Sequence, residues 1–311
     1  MLYRITIKPI SAFVSKLQSD TFFGAFCWSF KYLFGDEKLE GFLEKSMSEK
    51  PQVVFSNAYP MGYLPIPLGV SQRQNLMDME EDKQNRRVAY ERNKKYKKYD
   101  LICRDAFVES QNGNWKLNYD RMGKESLHEV NAVHNMVDRS RGIVANTDGS
   151  GNLYAIREFF PEADAKYDVY LLSELDEEIL KKVCSTMFLL GIGGKKSSGK
   201  GAFEIETWEK ETGLLNVENP NAFVTLSNFI PDENDPIKGY YKTFVKSGKL
   251  DREYANGDAP FKKPLLYINS GAVFFDEKVK AYYGKCMNNI AQNKKIVVNA
   301  CTIAIPLRVY Q

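Results

Sequence analysis

Histidine is nearly absent: only His128 and His134 occur in 311 residues, so a paired-imidazole acid–base site has little to draw on. Cysteine is sparse and scattered. Cys27, Cys103, Cys184, Cys286 and Cys301 form no C-x-x-C pair, which argues against both a zinc site and a disulfide framework. Their expected role is that of small buried apolar groups in a reducing cytoplasm, and no metal or other cofactor is expected. No stretch is apolar enough for long enough to span a bilayer, and Arg4 and Lys8 interrupt any leader-like run near the N-terminus. A strong charge bias is also missing. The formal net charge is +3, so an anionic partner has to be met by local patches. No tandem repeat of short period is found.

Glycine, lysine and serine, by contrast, are concentrated in residues 191–201, Gly-Ile-Gly-Gly-Lys-Lys-Ser-Ser-Gly-Lys-Gly. Glycines permit positive φ and close backbone approach, so such a turn can aim N–H groups at an anion while lysines add charge and serines add neutral donors. A flexible surface turn fits the same composition. Gly194 to Lys200 imitates a P-loop, but Gly201 stands where a magnesium-binding hydroxyl is needed, and here a helix precedes the turn while a strand follows. A grip on a sugar-phosphate backbone is the better expectation.

The flanking pattern supplies the fold class. Residues 2–8 alternate as a half-buried strand. Residues 20–34 carry Phe22, Phe23, Phe26, Phe30, Leu33 and Phe34 at helical spacing, with Ser19, Asp20 and Thr21 as cap candidates. A strand is expected at 52–56. Residues 57–166 read as a large insertion. Another strand at 167–172 leads into a helix over 174–190, with a capping box at Ser173 and Asp176 and a buried face of Ile179, Val183, Met187 and Leu190. A strand at 202–207 leaves the glycine loop. The order β-α-β, insertion, β-α-β is that of a ferredoxin-like or RRM-like unit. Residues 208–221 read as a polar linker, and 222–311 as a second, mostly β domain with strands near 222–227, 240–245, 265–269, 272–275 and 301–307. The expected architecture is therefore α+β, with a first domain at 1–207 and a second at 222–311.

Two features of the insertion bear on function. Lys83, Arg86, Arg87, Arg92, Lys94, Lys95, Lys97, Lys98 and Arg104 form a basic run interleaved with Tyr90, Tyr96 and Tyr99. It suits RNA, a solvated helix face or an acidic protein partner equally. Further on, His134-Asn135-Met136-Val137-Asp138-Arg139-Ser140-Arg141 precedes a hairpin with its tip at 148–151 and its return strand at 153–160. His134 beside arginines can be a general acid or base for RNA cleavage, or can hold the base of the hairpin. Asp138 can be a cleavage carboxylate, or can pair with Arg139 or cap a turn.

The glycine loop, running on into Ala202-Phe203-Glu204-Ile205, resembles the signature loop of the RAMP superfamily of CRISPR proteins. Ser19 to Trp28 looks like that family's first helix, and His134-Asn135 with Asp138-Arg139 like its H-N-x-x-D-R element. In the second half, Thr225-Leu226-Ser227 before Pro231, Lys263-Pro264-Leu265 with Gly271, and the final strand at 303–307 recur in the family's order. The ensemble, covering nearly the whole chain, is most similar to the handle-gripping subunit of type III-A Csm effector complexes. The resemblance implies two modified ferredoxin-like domains and a non-catalytic role in antiviral defence. It implies binding of the 5′ handle of a CRISPR RNA, docking to the large polymerase-like Csm subunit, and contact with a backbone RAMP subunit of the filament. Carried over, Lys195, Lys196, Ser197, Ser198 and Lys200 would face handle phosphates. Gly193, Gly194 and Gly199 would supply N–H groups, and His134, Asn135, Arg139 and Arg141 would sit at the base of a thumb. RAMP endoribonucleases that mature CRISPR RNA share the loop, so a metal-independent nuclease using His134 is the alternative.

Overall fold

The computed structural model describes residues 1–69, 94, 98–113, 115, 119–124, 127–135, 137–138, 140, 142–144, 153–256 and 260–310. In chain order the elements are β1 (Leu2–Pro9), α1 (Ser19–Phe34), α2 (Asp36–Ser48), β2 (Val53–Pro60), β3 (Tyr63–Pro65), β4 (Leu101–Cys103), α3 (Arg104–Ser110) and β5 (Met122–Gly123). There follow β6 (His128–Asn135), β7 (Val137–Asp138), β8 (Ile143–Val144), β9 (Leu153–Phe160), β10 (Tyr167–Ser173), α4 (Glu177–Leu190) and β11 (Phe203–Lys210). The remainder is strand and loop: β12 (Ala222–Thr225), β13 (Gly239–Tyr240), β14 (Thr243–Lys246), β15 (Leu265–Ile268), β16 (Val273–Phe275), β17 (Tyr282–Met287) and β18 (Val298–Leu307).

The first sheet has the order β11-β1-β10-β2 with every neighbour antiparallel. Numbering its strands one to four along the chain gives 4-1-3-2, with α1 and α4 as the crossovers, which is the ferredoxin-like topology read from the sequence. Strand alternation sends Ile5, Ile7, Val53, Phe55, Val169 and Leu171 to one face, where Phe22, Phe23 and Phe26 of α1 and Leu180, Val183, Met187 and Phe188 of α4 cover them. The opposite face, with Leu2, Val54 and Tyr170, packs against Val224, Val273, Ile303 and Ile305 of a second sheet ordered β13-β16-β12-β18-β17. The molecule is thus layered helix, sheet, sheet. The second sheet departs from the 4-1-3-2 order, and no α-helix accompanies it among the described residues.

Several boundaries move. β2 runs on to Pro60, so the insertion begins at 61. Helix α4 is capped by Asp176 alone, whose carboxylate accepts from the amides of Glu178 and Ile179 at 2.9 and 3.1 Å. Ser173 instead donates to the Gln52 carbonyl at 2.7 Å. The capping-box expectation fails because Asp176 satisfies two orphan amides by itself. The buried face of α4 is rotated from the expected one: Leu180, Val183, Cys184, Met187 and Phe188 face inward, and Ile179 and Leu190 are exposed. α2 and β17 were not anticipated. Residues 208–221 are not free of structure, since β11 extends to Lys210 and Leu214 is buried in the inter-sheet core.

Candidate nucleic-acid interface

The glycine loop joins α4 to β11, the reverse of the strand-to-helix context of a P-loop. Its closure is a backbone matter. The Ile192 amide donates to the Gly201 carbonyl at 2.7 Å, and Gly201, at φ 77°, would place a Cβ 2.2 Å from the Ile192 carbonyl oxygen. Only glycine fits there. Lys195 takes a left-handed φ of 59°, and Lys196–Ser198 turn back as a single 3₁₀ turn.

A strap after β1 holds the loop from beneath. Gly201 donates its amide to the Ala12 carbonyl at 2.8 Å, Ala202 to the Ser11 hydroxyl at 3.0 Å, and Gly194 to the Ser15 hydroxyl at 3.0 Å. The Gly199 amide is bonded to the Lys196 carbonyl at 2.9 Å. Amides of Gly194, Gly199 and Gly201 are therefore already donated inside the protein. What the loop presents outward is Lys195, Ser197 and Ser198, which are exposed together with Gly194 and Gly199; Gly193 is half-buried over Ser15.

The same strap fixes the thumb. Phe13 exchanges backbone hydrogen bonds with Phe159, at 3.1 and 2.7 Å, and packs on its ring. β6 and β9 form the ribbon, paired from His128 with Phe160 at the root to Asn135 with Leu153. Opposed residues share a face, so His134, Tyr154, Glu158 and Phe160 look the same way. That face meets the glycine loop. Lys200 Nζ bonds Glu158 Oε2 at 2.6 Å and lies over the Phe160 ring. Lys195 Nζ lies over the Tyr154 ring, 5.1 Å from its centroid, and donates to the Tyr154 hydroxyl at 3.3 Å. The His134 ring stacks on Tyr154, with Nε2 3.4 Å from Glu158 Oε1.

Glu158 is the keystone. Its side chain is only 3% exposed, and Lys200 and His134 converge on it. The Lys200 hydrogen bond holds its carboxyl below the usual carboxylate range, against the opposing effect of burial. Lys196 is also tethered: it pairs with Asp251, from the segment between β14 and β15, and is 12% exposed. The three loop lysines are therefore not equivalent. Lys195 rests on an aromatic face with no carboxylate partner among the described residues, whereas Lys196 and Lys200 are neutralised.

His134 lies six residues along the ribbon from its root, beyond the base of the thumb where the sequence put it. Asn135 follows it, exposed, at the last pair of the ribbon. Arg139 and Arg141 lie outside the described residues, as do the hairpin tip at 148–151, the side chain of Asp138 and most of the basic run. Of that run, Arg104 is structural, since it clamps the buried Glu211 with contacts of 2.8 to 3.2 Å. Tyr154, Glu158, Phe160, Asp251 and the strap at Ser11 and Ser15 escaped sequence reading. The only signal was the period-two alternation of residues 153–160, which puts Tyr154, Glu158 and Phe160 on one face. Among the described residues no cluster of three metal-ligating side chains exists, and no helix is long and apolar enough to cross a membrane.

No family model matches the sequence, and no curated protein matches it. Solved structures do. One chain of a crystal structure of the Csm1–Csm4 cassette in complex with cA4 aligns over 99% of this chain and 99% of its own length, with 14% identity and a TM-score of 0.61. The same cassette in complex with cA3 gives 17% identity, 100% and 99% coverage and a TM-score of 0.60. A Csm3–Csm4 subcomplex of the type III-A CRISPR–Cas interference complex gives 18% identity, 99% and 100% coverage and a TM-score of 0.57. The matched chains are the Csm4 subunits. At these identities the likeness is one of fold: over its whole length this chain folds as they do.

Proposed function

We propose that this chain is the Csm4-type subunit of a type III-A CRISPR interference ribonucleoprotein. In this role it is a non-catalytic, cytoplasmic RNA-binding protein that holds the 5′ handle of the CRISPR RNA. It links a large polymerase-like Csm1-type subunit to the backbone filament through a Csm3-type subunit. The observation that carries the reading is the locked pair of glycine loop and ribbon. Lys200 and Glu158 join the two, while Lys195, Ser197 and Ser198 are left at the surface for phosphate oxygens. The site residues named from the sequence, from Gly193 to Lys200 with His134, Asn135, Arg139 and Arg141, belong to this proposed grip, and Tyr154 joins them. The two halves, 1–207 and 222–311 about the 208–221 connection, act as one body through their shared core.

His134 serves better as a support than as a nuclease acid or base. Its Nε2 is buried and aimed at Glu158, and its ring is stacked on Tyr154. Incubating the purified chain with repeat-derived RNA in EDTA tests both readings. The expected outcome is a retarded, intact RNA whose retention survives His134→Phe. Cleavage that His134→Ala abolishes would instead establish the nuclease.

A further inference from the structure

Beside the glycine loop lies a cluster that the phosphate grip does not use. α1 sets Trp28 and Tyr32 one turn apart, with ring centroids at 6.2 Å. The segment between β14 and β15 folds over them. Arg252 places its guanidinium 4.9 Å from the Tyr32 ring and 5.5 Å from the Trp28 ring, and the Tyr254 ring lies 5.7 Å from that of Trp28. Arg252 is held at a φ of +52°, a left-handed state that a non-glycine residue adopts only where its surroundings fix it. Its amide donates to Asp251 Oδ1 at 2.9 Å, and Asp251 is also the partner of Lys196. One carboxylate therefore ties the aromatic cluster to the glycine loop.

Of the two cations at the cluster, Arg252 lies against the rings and Lys31 is ion-paired. Lys31 lies 5.3 Å from the Trp28 centroid but is bonded to Asp36 at 3.0 Å and to Glu253 at 3.3 Å. The cluster is rich in ring surface: Tyr32 is 53% and Tyr254 36% exposed. A patch of aromatic faces, with Lys31 paired and the Arg252 guanidinium laid against the rings, offers stacking surface to a flat ring.

We infer that Trp28, Tyr32, Tyr254 and Arg252 form a stacking platform for a nucleobase of the single strand whose backbone the glycine loop holds. This rests on the proposed RNA grip and adds to it a contact with a base. Because every base has a π-face, the platform tolerates sequence and supplies affinity and register. The platform adjoins the loop: Lys196, the neighbour of Lys195 and Ser197, pairs with Asp251, and Arg252 is the next residue.

The test compares two probes on the full chain: an oligoadenylate of about eight nucleotides and an abasic ribose-phosphate strand of equal length, both within the site sizes of single-strand binders. Their charges match and only one carries bases. The wild type should prefer the oligoadenylate. Tyr32→Ala should reduce that preference about thirty-fold, the middle of the range for one lost stacking contact, and leave abasic binding unchanged. Tyr32→Phe should restore it, which separates stacking from a folding defect. Lys195→Ala should weaken both probes equally. If Tyr32→Ala weakens both probes alike, or neither, the platform is overturned while the loop grip stands. If it instead releases a co-purifying protein and leaves RNA binding intact, the patch is a protein contact and the inference fails. Binding of neither probe by the wild type overturns the grip and the platform together.

Discussion

Replacing Glu158 with Gln should make the protein less stable and its RNA binding more salt-sensitive. The substitution keeps the shape and one acceptor but removes the charge that neutralises Lys200 across a 2.6 Å hydrogen bond. A charge-assisted hydrogen bond is worth about 1.5–3 kcal/mol. Gln still accepts from Lys200, and Lys200 is 25% exposed and can rehydrate, so the net loss should be about 1–2 kcal/mol. With about 2.1 cal/mol/K of unfolding entropy per residue over 311 residues, the midpoint should fall by about 2–3 °C. The pH dependence has a definite sign. The folded carboxyl lies below its ordinary range, so the ion pair stabilises fully above the unfolded value of about 4.3 and is lost as pH falls through the folded value. Thermal unfolding followed by circular dichroism between about pH 7 and pH 3.5 should show a constant gap between wild type and Glu158→Gln at neutral pH that narrows toward the acid end. Freed from its carboxylate, Lys200 should steepen the salt dependence of RNA binding by up to about 0.7 in slope. Equal midpoints at pH 7, or a gap that persists undiminished at the acid end, would refute the keystone role.

Among the loop lysines, Lys195→Ala should lower the salt slope of single-stranded RNA binding by about 0.7, and Lys196→Ala or Lys200→Ala by less, because Asp251 and Glu158 already neutralise them; fluorescence anisotropy at four or more salt concentrations reads the difference. Gly201→Ala forces a Cβ to within 2.2 Å of the Ile192 carbonyl oxygen at a positive φ and should destabilise by at least about 2 kcal/mol, with loss of RNA binding, checked by urea unfolding and anisotropy. Asp176→Ala removes the cap of α4 and should lower stability by about 1 kcal/mol without changing RNA affinity, since the cap is at the helix end away from the loop.

The ferredoxin-like half was legible in the sequence because its signals are local. The Phe22, Phe23 and Phe26 stripe, the alternation of β1, and the helix running into Gly191 each state an element and its buried face. The one-residue rotation of α4 shows the limit: Leu189 and Leu190 extend the apolar run into solvent, and periodicity cannot choose between Ile179 and Leu180 when both are apolar. In the second half the strands other than β17 were visible, but their order was not, because pairing β12 with β18 joins residues about eighty positions apart. The site was half legible. The glycine loop announced itself by composition. Its partners did not, because Glu158 is an ordinary acidic residue in an alternating strand until the ribbon folds against Lys200. The strap at Ser11 and Ser15 carries no motif at all; its hydroxyls matter only because loop amides end above them.

The most direct test of the central claim is ultraviolet cross-linking of the chain, purified with its partner proteins, to the RNA that accompanies it, followed by mass spectrometry of the linked peptides and sequencing of the RNA. The account predicts cross-links at Tyr154 and within residues 195–198, on RNAs that share a common 5′ segment. Cross-links confined to other surfaces, or RNAs with no shared 5′ end, would contradict it.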